Sequence, residues 1–365
     1  MSQRAKIVML TNGLGSAGAP KVLLNICKHL STSEFEIKIV NFGDEKDLAP
    51  KFAETDTEVN HINSSLVRVL PEVIKLLREE NPEILHTHMM LANFIGRIAG
   101  RVVGIPTVST LHTSYPNRTL VGKLLDTSTS WLPDYNIPVS DAVSSSLPAW
   151  FGLGAKEQVI HNAVDVETIR KLGSSDWDEL EWTDQVNQNA PIIVNVARFD
   201  PKKRRKDLIN SMDLVLDHFP EAQLILSGKI NRLGSELIEY ADELGLSDSI
   251  KFVGYVENPY SLYHHSDIVA FSSSSEGFSI GLLEAMAFEK PIVATDISPF
   301  NEALGSSCSF APVGDPDSLA NEIIQMLSDQ DLMIANGERV KTRVESNFSG
   351  EACGKKYAEI YHSLL

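Results

Sequence analysis

The chain has 365 residues, 43% of them hydrophobic and 22% charged, and a formal net charge of −17. That length suits two α/β domains rather than one core, and the apolar content excludes disorder as the main state. The acidity argues against a nucleic-acid partner. Three cysteines, Cys27, Cys308 and Cys353, with no Cys-x-x-Cys spacing, argue against a zinc ribbon or a disulfide scaffold.

In chain order, short β-branched runs alternate with helical patterns. The run Ile7 to Leu10 is too short for a signal peptide or a membrane span, so a cytoplasmic location is expected. Strands are predicted at 6–11, 36–41, 84–87, 107–111 and 135–139, then at 192–196, 223–226, 250–253, 268–271 and 292–295. Helices are predicted at 21–30, 71–80, 208–218, 235–244 and 282–288. Strands of about five residues separated by helices read as parallel sheets with crossover helices. The polar, acidic stretch 173–189 interrupts the rhythm and reads as an interdomain linker. Two doubly wound domains follow, with ligands beyond the carboxyl ends of the strands and a cleft between facing sheets.

Gly13-Leu-Gly15-Ser-Ala-Gly18 matches G-x-G-x-x-G between a strand and a helix, where backbone N–H groups could approach a phosphate. A dinucleotide site would also want an acid at the end of the next strand. Asn41 stands there instead, which opposes a nicotinamide oxidoreductase. His86, His88 and His112 end neighbouring strands and suggest a polar cleft wall without a zinc-binding spacing. No carboxylate lies between Glu83 and Asp126, whereas Arg97, Arg101, Arg118 and Lys123 do. With Leu120, Val121, Leu124, Leu125 and Trp131 these cations allow two readings. One is ordinary core and surface. The other is a peripheral contact with anionic membrane, reaching a lipid-linked acceptor on its inner face.

The second half carries Arg198 and five positive side chains from Lys202 to Lys206 just after a strand, suited to gathering phosphate charge. Glu276-Gly-Phe-Ser-Ile-Gly-Leu-Leu-Glu284 follows another strand. A loop carboxylate, backbone amides and a helix carboxylate suit a polyhydroxylated ligand. Asp315-Pro-Asp317, a literal Asp-x-Asp, reads as a helix cap rather than a metal site.

Together these pieces resemble the retaining family-4 glycosyltransferases with the two-Rossmann GT-B fold, over nearly the whole chain. The matching segments are Gly18-Ala-Pro-Lys-Val-Leu-Leu-Asn, Leu85-His-Thr-His88, Thr110-Leu-His112, Val139-Ser-Asp-Ala-Val143, Val159-Ile-His-Asn-Ala-Val-Asp165, Val196-Ala-Arg198 with Lys203, Phe252-Val-Gly254, and Ser274-Ser-Glu276 through Glu284-Ala-Met-Ala287. The resemblance implies an acceptor domain over 1–172, a nucleotide-sugar donor domain over 190–349, and a C-terminal helix at 350–365 packed back on the first domain. It implies that Arg198 and Lys203 bind the donor diphosphate and Glu284 the ribose. Glu276 and the backbone of Gly277, Phe278 and Ser279 would hold the sugar hydroxyls. His112 would lie beside the transferred sugar, Gly18 beside the phosphates, and Gly254 within the donor site. The chemistry expected is metal-independent and cofactor-free transfer of a hexose-type sugar from a nucleoside diphosphate, UDP before GDP, to a hydroxyl acceptor in polysaccharide, glycolipid or glycoprotein glycan assembly. Nucleotide-sugar 2-epimerases share the architecture, and a non-catalytic nucleotide-sugar-binding protein is a further alternative. Departures from the family pattern are Pro20, Ala163, Ala197 and Arg204.

Overall fold

The computed structural model describes residues 4–30, 32–308 and 310–365. Contacts divide the chain into two units, Met1–Ala163 together with Ser349–Leu365, and Val164–Phe348.

The first unit is built on a parallel sheet of seven strands: β1 (Ala5–Thr11), β2 (Phe35–Asn41), β3 (Glu58–His61), β4 (Ile84–His88), β5 (Thr107–Leu111), β6 (Tyr135–Pro138) and β7 (Lys156–Glu157). Their spatial order is β3-β2-β1-β4-β5-β6-β7. Every residue of β4, β5 and β6 is buried, as expected of parallel strands covered by crossover helices on both faces. One such layer joins Val8, Leu10 and Leu85 of the sheet to Val69, Val73 and Leu77 of the Leu66–Glu80 helix and Ala92, Ile95 and Ala99 of the Met90–Val103 helix. The order reverses between β1 and β4, so a ligand crevice is expected outside the carboxyl ends of those two strands. The C-terminal helix Gly350–His362 belongs to this unit. Its Gly350 and Gly354 lie against His29, and Tyr361 meets Phe35 edge-on at 5.6 Å between ring centres.

The second unit repeats the plan with β8 (Ile192–Val196), β9 (Gln223–Ser227), β10 (Ile250–Gly254), β11 (Ile268–Phe271), β12 (Ile292–Thr295) and β13 (Phe310–Ala311). All are parallel, in the order β10-β9-β8-β11-β12-β13, with the reversal between β8 and β11. Its core joins Ile193, Leu224 and Ala270 to Leu208 and Met212 of the Arg205–His218 helix and Leu319 and Ile323 of the Pro316–Ser328 helix. Asp315 caps the latter, accepting from the Ser318 backbone N–H at 3.0 Å and the Ser318 hydroxyl at 2.6 Å, so Asp-x-Asp here starts a helix.

One sequence expectation is corrected and one open pair of readings is narrowed. Residues 173–189 are not a linker between the two units but lie within the second one. They form two 3₁₀ turns, Trp177–Glu179 and Glu181–Gln185. Trp182 is buried there, donates to Ser261 Oγ at 3.1 Å and meets Trp177 edge-on. Two indoles offer more apolar area than the flanking acids can keep in water. For the carboxylate-free stretch, where two readings stood open, the structure does not give the cations one charged face. Arg97 is fully buried, pairs with Asp126 and donates to Ser109 Oγ and Asn136 Oδ1, each at 3.0 Å. Arg118 takes the other oxygen of the same carboxylate and donates to the Thr113 carbonyl. Of the four, Arg101 is exposed, and Lys123 lies 5.5 Å above the Tyr115 ring. The apolar half of that surface does remain, with Leu120 84%, Val121 65% and Leu124 70% exposed.

Candidate functional site

In the second unit the sheet reversal places the ends of β8 and β11 side by side, and two loops leave from there. They are stitched together by hydrogen bonds. The Ser274 backbone N–H donates to the Lys202 carbonyl at 2.8 Å, and Ser272 Oγ donates to the Lys203 carbonyl at 2.7 Å. Thr295 Oγ1, at the end of β12, donates to the Ser273 carbonyl at 2.6 Å. These ties bring Lys203 Nζ to 2.5 Å from Glu276 Oε1, and the same oxygen accepts from Ser273 Oγ at 2.9 Å. Both side chains of the ion pair are largely buried, so their attraction is screened less than at an open surface. Arg198, at the end of β8, is exposed and makes no ion pair among the described residues. The geometry thus offers one exposed guanidinium, one ammonium already facing a carboxylate, and that carboxylate held by a serine.

Glu284 lies on the Ile280–Met286 helix, 4% exposed, and accepts from the Tyr260 hydroxyl at 3.3 Å. Burial and the neighbouring Glu284 push the Tyr260 hydroxyl well above its ordinary pKa, so it stays a donor. Ser279 caps this helix, accepting from the Leu282 N–H. The Phe278 side chain is buried and packs edge-on against Phe348 at 5.2 Å, so only its backbone can face a ligand. Gly254 ends β10 with φ of 69°, and its carbonyl accepts from the Gly228 N–H at 2.7 Å and from Ser227 Oγ at 3.0 Å. Gly228 has φ of 152°, and a Cβ there would run into the Ala197 carbonyl, so the β8 and β9 ends can approach only with glycine at this position.

The basic run does not act as one phosphate-gathering cluster. Arg205 is buried beneath the loops and donates to the carbonyls of Asn195, Ala197 and Ser227, with its guanidinium 4.2 Å from the Phe199 ring. Burial lowers its pKa to about 9. Lys206 stacks on Tyr240. Arg204 adopts the left-handed conformation, φ 46° and ψ 39°, where its glycine counterpart in the resembling family would be unstrained. A two-pronged pair with Asp207 holds it there. Of the five, only Lys203 is paired with a site carboxylate.

In the first unit His86, His88 and His112 do converge at the ends of β4 and β5, but they do not form one wall. His86 is fully buried, with Nδ1 2.6 Å from the Tyr361 hydroxyl and Nε2 2.8 Å from Thr110 Oγ1. His88 is buried, with Nδ1 3.3 Å from Nε2 of the half-buried His112. Burial lowers the pKa of His86 to about 3 and of His112 to about 4, so both are neutral at physiological pH. Gly18 opens the Gly18–His29 helix and is exposed. Nearby, a Cβ on Gly15 would strike the Glu45 carboxylate, which places negative charge beside the glycine loop and disfavours phosphate at that point.

Reading the sequence missed Ser272, Ser273, Tyr260 and the tyrosines under His86. The Ser272–Ser275 run was the available signal for the first two. Nothing local marks the tyrosines, which come from the far end of the chain.

The family model for Glycosyltransferase Family 4 matches residues 16–168, and that for Glycosyl transferases group 1 matches residues 178–343. N-acetyl-alpha-D-glucosaminyl L-malate synthase of Bacillus anthracis is 27% identical, over 80% of this chain and 78% of that protein. A phosphatidyl-myo-inositol mannosyltransferase of Mycolicibacterium smegmatis is 26% identical, over 75% of this chain and 69% of that protein. Among solved structures, Anabaena HepE in complex with UDP-glucose superposes with a TM-score of 0.84 at 20% identity, covering 98% of this chain and 99% of that one.

Proposed function

This chain belongs to the family-4, group 1 glycosyltransferases of the GT-B fold, and from that premise we propose that it is a retaining enzyme moving a hexose-type sugar from a nucleoside diphosphate, UDP before GDP, to a hydroxyl acceptor. The observation that carries this reading is the Lys203–Glu276 pair, tied in place at the sheet reversal, with Arg198 exposed at the end of β8. Lys203 and Arg198 take the charge that grows on the departing diphosphate, a stabilisation that matters most in the transition state. Glu276 accepts from the sugar hydroxyls, the backbone of Gly277, Phe278 and Ser279 helps hold them, and Glu284 holds the ribose. His112 contacts the transferred sugar. In this reading Arg198 and Lys203 take the place of a metal at the phosphates, so the transfer needs no metal or cofactor. HepE binding UDP-glucose, and the relatives being named for glucosaminyl and mannosyl transfer, support a nucleotide-sugar donor.

The acceptor belongs to polysaccharide, glycolipid or glycoprotein glycan assembly. A membrane-proximal acceptor is favoured by the exposed Leu120, Val121 and Leu124 and by the phosphatidyl-inositol named in the mannosyltransferase relative. With Arg97 and Arg118 withdrawn into the interior, such contact would be driven by apolar insertion and depend little on salt. No helix among the described residues is long and apolar enough to cross a membrane.

A thermal-shift panel of nucleoside diphosphates tests the donor side. A true ligand at ~100 times its dissociation constant adds about 2.7 kcal/mol of stability. The gain should be largest for UDP and should shrink when Arg198 or Lys203 is replaced by Ala. No shift with any nucleoside diphosphate would refute the reading. Incubation with a UDP-sugar and no acceptor separates the epimerase alternative, which would return the 2-epimer.

A further inference from the structure

We propose that His88 sets the tautomer of His112. It donates from Nδ1 to His112 Nε2, so His112 carries its own proton on Nδ1 and meets the transferred sugar as a hydrogen-bond donor, not as a base. This rests on the reading above that His112 contacts that sugar.

In this closed space each ring nitrogen either holds a proton or offers a lone pair. His88 Nδ1 and His112 Nε2 are 3.3 Å apart, so one of the two nitrogens holds the shared proton. His88 Nε2 is buried and has no hydrogen-bond partner among the described residues. The neighbour that could have served it, His86, packs its ring 4.1 Å from that of His88. Both nitrogens of His86 are committed, one to Tyr361 and the other to Thr110.

Two neutral arrangements remain. With the proton of His88 on Nε2, a buried N–H is left with no acceptor while Nδ1 merely accepts from His112. With the proton on Nδ1, His88 donates to His112 and leaves only a ring lone pair facing the interior. Orphaned buried N–H groups are the rarer and costlier outcome, so the second arrangement is preferred. A doubly protonated His88 is opposed by its burial and by the imidazoles on either side. His112 Nε2 is then occupied as an acceptor, and its remaining proton sits on Nδ1.

The support for His88 reaches the chain's end. Tyr361 and Tyr357 of the Gly350–His362 helix pack on His86 at 5.8 Å and 5.4 Å between ring centres, and His86 in turn packs on His88. His88 is a positioning residue in this scheme.

The test reads tautomers directly, by long-range proton–nitrogen correlation on protein carrying ¹⁵N-histidine, with His112 signals assigned through their loss in His112→Asn. The wild type should show His112 with its proton on Nδ1, in at least about fivefold excess, the worth of one neutral hydrogen bond. His88→Asn places an amide donor where Nδ1 stood and should preserve that tautomer. His88→Phe removes the donor and should let the Nε2–H form appear. A wild-type His112 protonated on Nε2, or an unchanged tautomer in His88→Phe, overturns the proposal. The wild-type measurement needs no variant of His88 to fold. The readout is also independent of transfer: a His112→Ala enzyme with undiminished transfer would remove the proposed contact with sugar and leave the tautomer result standing.

Discussion

Replacing Lys203 by Met separates what the Lys203–Glu276 pair does for stability from what it does for the donor. The substitution keeps the apolar stem and removes the charge. Glu276, 15% exposed, then loses the ammonium at 2.5 Å and keeps Ser273 Oγ at 2.9 Å. Breaking a fully buried pair costs ~3–5 kcal/mol, and breaking an exposed one less than ~1 kcal/mol. This pair lies between them, so a loss of about 1–2 kcal/mol is expected. The effect on UDP is separate. One charge-assisted contact to phosphate contributes ~1.5–3 kcal/mol, which weakens binding roughly 10- to 150-fold. Glu276→Gln should leave UDP affinity intact or raise it, because Lys203 no longer divides itself between carboxylate and phosphate. The double variant should recover most of the lost stability, since neither charge is stranded, yet bind UDP as poorly as Lys203→Met. Urea unfolding and titration calorimetry with UDP read the two quantities. Wild-type UDP affinity in Lys203→Met would refute the assignment of Lys203 to the phosphates.

Asp126→Ala should destabilise by ~3–5 kcal/mol in urea, because it strands the fully buried Arg97 and frees Arg118; a loss under ~1 kcal/mol would mean that Asp126 does not compensate the buried Arg97 charge. Acid should destabilise the fold early. The pKa values of His86 and His112 fall from 6.5 to about 3 and about 4, so below about pH 6.5 the unfolded chain binds protons that the folded chain refuses. Stability should therefore be fully present above about pH 7 and fall by up to ~1.4 kcal/mol per histidine per pH unit on the way to about pH 4, and a flat profile of urea midpoints there would contradict the burial of these rings. Transfer should survive EDTA; complete loss restored by manganese or magnesium would overturn the metal-independent mechanism.

The strands were legible because parallel strands buried on both faces are short unbroken apolar runs, and all ten expected strands are present with ends within about a residue. The three that escaped notice, β3, β7 and β13, are an outer strand of mixed polarity and two strands of two residues each. The positions of Arg198, Lys203, Glu276 and Glu284 followed from motifs at strand ends. Their pairings did not, because the partners are distant in sequence: Lys203 and Glu276 are 73 residues apart, and His86 and Tyr361 are 275 apart. Charge counting failed for the same reason. Arg97 meets its carboxylate 29 residues away and Arg118 shares it, so two of the four cations in a stretch free of acids are paired inside the fold.

Retention of configuration can be read with no knowledge of the acceptor. Proton NMR can follow the slow hydrolysis of a UDP-hexose by the enzyme, with water in the acceptor's place, and read the anomer released before mutarotation. A retaining transferase working from an α-linked nucleotide sugar should first release the α-hexose together with UDP. The rate should drop with Arg198→Ala and Lys203→Ala. First release of the β-anomer, or conversion of the nucleotide sugar to its 2-epimer without loss of UDP, would contradict the account.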